Sequence, residues 1–182
     1  MITVDGSDFC IWEPRPYCRT RNAIWYLSKF KGAGLRYEVG VCIQTGDFVW
    51  FNGPYPCGWG PDIKIFNQKL QHLLLPYEKV MADWNYRFGT KCYTRCNVEK
   101  YVDRERDIKT KEYMAISRAL ARHEVINGRM KEFGILRNIY RCDRNKHIYA
   151  FSAIAAMTQI EIENRRPVFE ATDYIDKRSN NI

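Results

Sequence analysis

From Lys111 to about Glu132, the apolar residues Ile116, Leu120, Ile126, Met130 and Phe133 recur at intervals that place them on one face of a long amphipathic helix. A stripe of that length is stable only against a second apolar layer, so the rest of the chain has to supply one. The first half reads as β structure. Ile2 to Val4 forms a strand that runs into the turn-like cluster Asp5-Gly6-Ser7-Asp8 and resumes at Phe9 to Trp12. Leu35 to Gln44, with alternating Tyr37, Val39 and Val41, and Phe48 to Phe51 flank Thr45-Gly46-Asp47 and form a hairpin. Asp62 stands where a helix cap belongs, and Ile63, Phe66, Leu70 and Leu73 to Leu75 follow at helical spacing until Pro76.

Lys79 to Ala82 is a short strand ending at Asp83, and the residues from about Trp84 to Thr110 are charged and irregular. A last helix, roughly His147 to Asn164, carries Ile148, Phe151, Ile154 and Ile162, with Pro167 just beyond its end. The order strand, hairpin, helix, strand, insertion, helix, helix predicts an α/β fold with a mixed sheet flanked by helices. A single domain over 1–175 is expected, with a disordered tail at 176–182.

The chain has 182 residues, enough to bury a sizeable core without disulfides. Its formal net charge of +8 favours a polyanionic partner, although charge alone does not choose between nucleic acid, a membrane surface and an acidic protein. The seven cysteines form an odd set with no secretory segment before them, which predicts reduced thiols in an intracellular protein that is not secreted. No window approaches the roughly 18 uninterrupted apolar residues of a membrane span.

Three acidic residues stand out by position. Asp5 and Asp83 each close a short strand, and Glu124 lies inside the long helix. Ser117, Glu124 and Lys131 are seven apart and so share nearly one helix face, with Gly128 one turn beyond the glutamate. Taken singly, each carboxylate reads as a solvated surface group.

Read together, these segments resemble the successive blocks of DDE superfamily endonucleases of the Harbinger-like transposase group, in the same order over nearly the whole chain. Val4-Asp5-Gly6-Ser7-Asp8 resembles the first-aspartate block, residues 53–62 the proline/glycine turn ending in aspartate, and Ala82-Asp83-Trp84-Asn85-Tyr86 the second-aspartate block. Residues 122–136 resemble the glutamate block, and the helix from His147 through Glu163-Asn164-Arg165-Arg166-Pro167-Val168-Phe169 resembles the closing segment of a subset of the family.

The resemblance implies an RNase H-like fold in which Asp5, Asp83 and Glu124 are the catalytic and metal-binding residues, holding two divalent ions, Mg²⁺ or Mn²⁺. Such ions suit oxygen ligands and two-metal phosphodiester chemistry, here hydrolysis followed by strand transfer. It implies DNA as partner, both transposon ends and target DNA. Lys131, on the helix face of Glu124, and Arg122 and Arg129 of the same helix are the expected DNA contacts; for Lys131 a solvated side chain is an equal reading. A separate DNA-binding protein supplying specificity, self-association into a homo-oligomer, and a nuclear location in a eukaryote or an intracellular one otherwise are further expectations.

Asp62 is expected as a cap and Asp8 in a turn, both outside the triad. The family usually has a basic residue and glycine where this chain has Trp84 and Asn85, and only four residues precede Asp5. The rival is therefore a truncated or domesticated module that binds DNA or protein without cutting. An RNase H-like nuclease unrelated to transposition is a third reading. Cys92 and Cys96 read as structural, and His123 as a packing or polar residue. Trp12 to Tyr26 reads either as a basic-aromatic strand-binding surface or as a half-buried aromatic loop.

Overall fold

A computed structural model describes residues 1–16, 18–99 and 106–171, with the backbone alone for residues 20, 21, 98, 99 and 106–111. The expected tail at 176–182 lies outside the described residues. The β elements are β1 (Ile2–Cys10), β2 (Tyr26–Leu27), β3 (Gly32–Cys42), β4 (Phe48–Pro56), β5 (Val80–Ala82) and β6 (Cys92–Tyr93). The α-helices are α1 (Arg19–Asn22), α2 (Asp62–Gln68), α3 (Leu70–Leu73), α4 (Arg95–Glu99), α5 (Arg106–Met130), α6 (Gly134–Arg137) and α7 (His147–Asn164).

The six strands form one mixed sheet in which β1 is central. On one side β1 pairs antiparallel with β3, which pairs antiparallel with both β4 and β2; on the other, β1 pairs parallel with β5, and β5 parallel with β6. The α/β reading therefore holds, as does the hairpin: Gly46, at φ 86°, turns the chain between β3 and β4, and Cys42 N–H donates to Asp47 O at 2.9 Å.

Strand alternation decides which layer each residue meets. Phe9, Tyr37, Val39 and Val41 pack with Ile126 and Met130 of α5 and with Phe151, Ile154 and Ile162 of α7. The Tyr37 and Phe151 rings stack at 4.0 Å between centroids. On the opposite face Val4, Val80 and Ala82 pack with Phe66, Leu70 and Tyr86, under α2 and α3. The sheet is thus covered on both faces, and the apolar stripes of both long helices meet it as their periods predict.

Three local expectations change. Asp5 to Asp8 is no turn, because β1 runs unbroken from Ile2 to Cys10, each residue paired with β3 from Ile2↔Cys42 to Cys10↔Gly34. Polar side chains are tolerated there because Asp8 finds a cation on β3. The region after Asp83 is not wholly irregular: it contributes β6 and α4. Cys92 and Tyr93 are too few to show a period, and a two-residue strand is visible only by its pairing with Val80 and Met81. Asp62 does not cap α2, since the position before the helix is Pro61 and no side chain caps it.

Candidate functional site

The parallel register of β1 and β5 pairs Thr3 with Met81 and Val4 with Ala82. Asp5 and Asp83 are the next residues on the two strands, and Asp83 continues extended at φ −71° and ψ 172°. Adjacent strands lie about 4.8 Å apart, so the two aspartates follow side by side. Alternation turns both toward the face that α5 covers, where Thr3 and Met81 already lie against that helix.

On α5, His123 Nδ1 lies 2.8 Å from Thr3 Oγ1, and Asn127 Nδ2 donates to Asp5 Oδ2 at 3.4 Å. Between these two contacts the helix carries Glu124, exposed to solvent and near enough for its charge to be felt at Asp5. Burial is the first cause that pushes the Asp5 carboxyl from 3.8 up to about 7, and the negative charges of Glu124, Asp62 and Asp83 push in the same direction. The three expected residues are thus electrostatic neighbours.

Among the described residues, no lysine or arginine forms an ion pair with Asp5, Asp83 or Glu124. Nor does any group of three His, Cys, Asp or Glu side chains, among the described residues, stand close enough to form a ready set of metal ligands. The carboxylates feel each other's charge without sharing one coordination sphere.

The structure adds a fourth acid. A Cβ at Gly6 would fall 2.5 Å from Asp62 Oδ1, so the glycine that follows Asp5 is the space into which the Asp62 carboxylate fits. Arg36 binds this layer from β3. Its Nε and Nη2 donate to the two oxygens of Asp8 at 2.6 and 2.8 Å, and its Nη1 lies 2.8 Å from Asp62 Oδ1. A bidentate guanidinium–carboxylate pair of this kind is strong because both partners are charged and the geometry is fixed.

Burial raises the Asp62 carboxyl, and the charges of Asp8 and Asp83 add to that, while Arg36 opposes it. Behind it, Glu38 is buried in the sheet, accepts from Trp50 Nε1 at 2.8 Å, and is pushed by burial to about 7. Buried Tyr86 is raised well above 10, first by burial and then by the charges of Asp62, Glu38 and Asp5. Asn127 was missed by sequence reasoning, and Asp62 was set aside there as a cap. The available signals were the proline/glycine turn that ends in Asp62 and the position of Asn127 three residues after Glu124, on the same helix face.

The expected DNA contacts divide. Arg122 is buried and donates from Nη1 to the carbonyls of Ile43 and Gln44 at 2.5 and 3.1 Å, tying α5 to the β3–β4 turn. Arg129 is buried as well and donates to the carbonyls of Arg166 and Pro167, holding the segment after α7. Both side chains thus have a structural role, tying α5 to distant backbone, that the expectation of phosphate contacts did not include. Lys131 is half-buried, with Nζ 5.3 Å from the centroid of Phe9. Trp84, beside Asp83, is exposed, with Arg87 over its ring at 4.9 Å.

Comparison with protein-family models, curated proteins and solved structures gave no match to this chain.

His123 and His147 are held neutral by burial, each lowered to about 4. His147 Nδ1 lies 2.8 Å from Tyr37 OH, so both histidines serve the core. All seven cysteines are free, Cys92 being buried and Cys96 half-buried. Among the described residues no helix is long and apolar enough to cross a membrane.

Proposed function

We propose that the chain is the catalytic core of a DDE-type, metal-dependent DNA endonuclease of the transposase kind, with Asp5, Asp83 and Glu124 as its carboxylates. The observation that carries this reading is the parallel register of β1 and β5 that sets Asp5 beside Asp83 under α5, with the charge of Glu124 felt at Asp5 and, among the described residues, no cation paired to the triad. An RNase H-like fold is part of the proposal. It is supported by the strand order, a central β1 between an antiparallel pair and a parallel pair, with the glutamate helix lying across the two aspartates.

The donor set suits a divalent cation, since all three groups are hard oxygen ligands and their mutual repulsion is what such an ion would relieve. Bound there, two divalent ions would supply polarisation of the scissile phosphate and activation of water or a 3′-hydroxyl. The chain's own residues do the rest. Asn127 holds one oxygen of Asp5, Arg36 compensates Asp8 and Asp62, and Gly6 lets the Asp62 carboxylate approach the backbone beneath the site.

The reading is tested by incubating the protein with supercoiled DNA that carries terminal inverted repeats, in Mg²⁺ or Mn²⁺. Nicking that disappears in Asp83→Ala supports it. The rival is a domesticated module that binds DNA without cutting, and it is favoured by the lack of a ready three-ligand group among the described residues. Metal-independent binding with no nicking would establish that rival. Cutting without preference for the repeats would instead point to a nuclease unrelated to transposition.

A further inference from the structure

Beyond Asp5, β1 and α5 run side by side in the same direction: Thr3 meets His123, Asp5 meets Asn127, and Phe9 lies under Lys131. Followed away from the carboxylates, this seam leads to a cavity of about 660 Å³ lined by residues 10–15, residues 30–33 and Ile139. Its floor is rigid. Ile11 N–H donates to Ala33 O at 3.0 Å, Trp12 N–H donates to Tyr140 O at 2.8 Å, and Ile11 and Ala33 are both buried.

The rim is aromatic and cationic. Trp12 is 47% exposed and Phe30 51%, a large exposure for two rings bordering one cavity. The Arg15 and Arg141 guanidiniums lie 5.7 and 5.3 Å from the Trp12 centroid, and Lys29 Nζ lies 5.8 Å from that of Phe30. Lys31 belongs to the lining, where Glu13 is the one carboxylate. Half-exposed rings with mobile cationic side chains standing over them complement a flat, anionic ligand whose base can take the place of a guanidinium on the ring while the displaced cation meets a phosphate.

We propose that this groove binds single-stranded nucleic acid, an unpaired base stacking on Trp12 or Phe30 while Arg15, Lys31 and Arg141 meet its phosphates. Unpaired bases present π-faces that a duplex keeps stacked internally, which is why exposed rings select single strands largely without regard to sequence. Trp12 lies seven residues beyond Asp5, roughly 23 Å at about 3.3 Å per residue, so a strand seated in the groove spans several nucleotides before it reaches the carboxylates. The proposal rests on the DNA-cutting reading only for the purpose of the bound strand. Binding itself needs neither metal nor carboxylates.

The test is fluorescence anisotropy with the full chain in EDTA. The probe is a labelled mixed-sequence DNA strand of about 12 nucleotides, within the site sizes of single-strand binders. The expected order of affinity is single strand above blunt duplex of the same sequence, and above a strand with abasic positions. Trp12→Ala and Phe30→Ala each weaken binding about ten-fold or more, and Trp12→Phe keeps most of it. Arg15→Gln and Arg141→Gln, both at the surface, each lower the slope of log K against log salt by about 0.7. An abasic strand that binds as well as the intact one overturns the proposal, and so does unchanged affinity in a Trp12→Ala protein with the wild-type circular dichroism spectrum. Trp12-dependent binding that persists in an Asp83→Ala protein sustains it even if no nicking is ever seen. Nicking alongside Trp12-independent binding overturns it and leaves the cleavage reading intact.

Discussion

Replacing Asp5 by asparagine should make this protein more stable, because burial first, and the neighbouring acids after it, penalise the ionised carboxylate in the fold. The carboxyl titrates at about 7 in the fold and near 3.8 when unfolded. Below 3.8 both states hold the proton and the residue contributes nothing. Between 3.8 and about 7 the folded state holds a proton that the unfolded chain has released, so stability falls as pH rises through that window. Above it the full penalty remains. At about 1.4 kcal/mol per pH unit that penalty is about 4 kcal/mol at most, and solvent reaching the Glu124 side reduces the expected gain to about 1–3 kcal/mol.

Asparagine keeps an oxygen that Asn127 Nδ2 can donate to, so Asp5→Asn removes the charge and retains the contact. Urea denaturation of variant and wild type at about pH 8 and about pH 4.5 reads the difference. The gain at the higher pH corresponds to roughly 2–4 °C in Tm per kcal/mol for a chain of this size, and it should shrink at the lower. Mn²⁺ should raise the Tm of the wild type and leave that of the variant nearly unmoved. A variant no more stable than wild type at about pH 8, or a gain equal at both pH values, would falsify the electrostatic account of the site.

Arg36→Met keeps the bulk of the side chain but leaves Asp8 and Asp62 half-buried or buried without their cation, and should cost about 3–5 kcal/mol in urea denaturation, more at high pH than at low. A loss below about 1 kcal/mol would mean that the pair is solvated. Gly6→Ala drives a methyl group into the Asp62 carboxylate and should cost about 1–3 kcal/mol, a cost that shrinks in an Asp62→Gly background. Strict additivity of the two changes would rule out that contact as the cause. Tyr37→Phe removes the hydroxyl opposite His147 Nδ1 while keeping the stack on Phe151, and should cost about 1–3 kcal/mol. The loss should be equal at pH values well above 4, because burial holds His147 neutral there.

The sequence by itself determined the elements whose burial repeats at short range. The stripe of Ile116, Leu120, Ile126 and Met130 specified α5, that of Phe151, Ile154 and Ile162 specified α7, and the alternation of Tyr37, Val39 and Val41 specified the hairpin face. The candidate site was legible where an acidic residue ended an apolar run, as at Asp83, or stood on a helix whose period was already clear, as at Glu124.

What only the tertiary structure decided were the partnerships of charged and polar groups: Asp62 with Arg36 and Gly6, Asn127 with Asp5, and Arg122 and Arg129 with carbonyls far along the chain. Apolar burial is written locally, because one residue's neighbours at i+2 or i+4 report the face it shares. An ion pair joins residues tens of positions apart through strand register, and the registers of β1 with β3 and of β1 with β5 exist only once the sheet has formed.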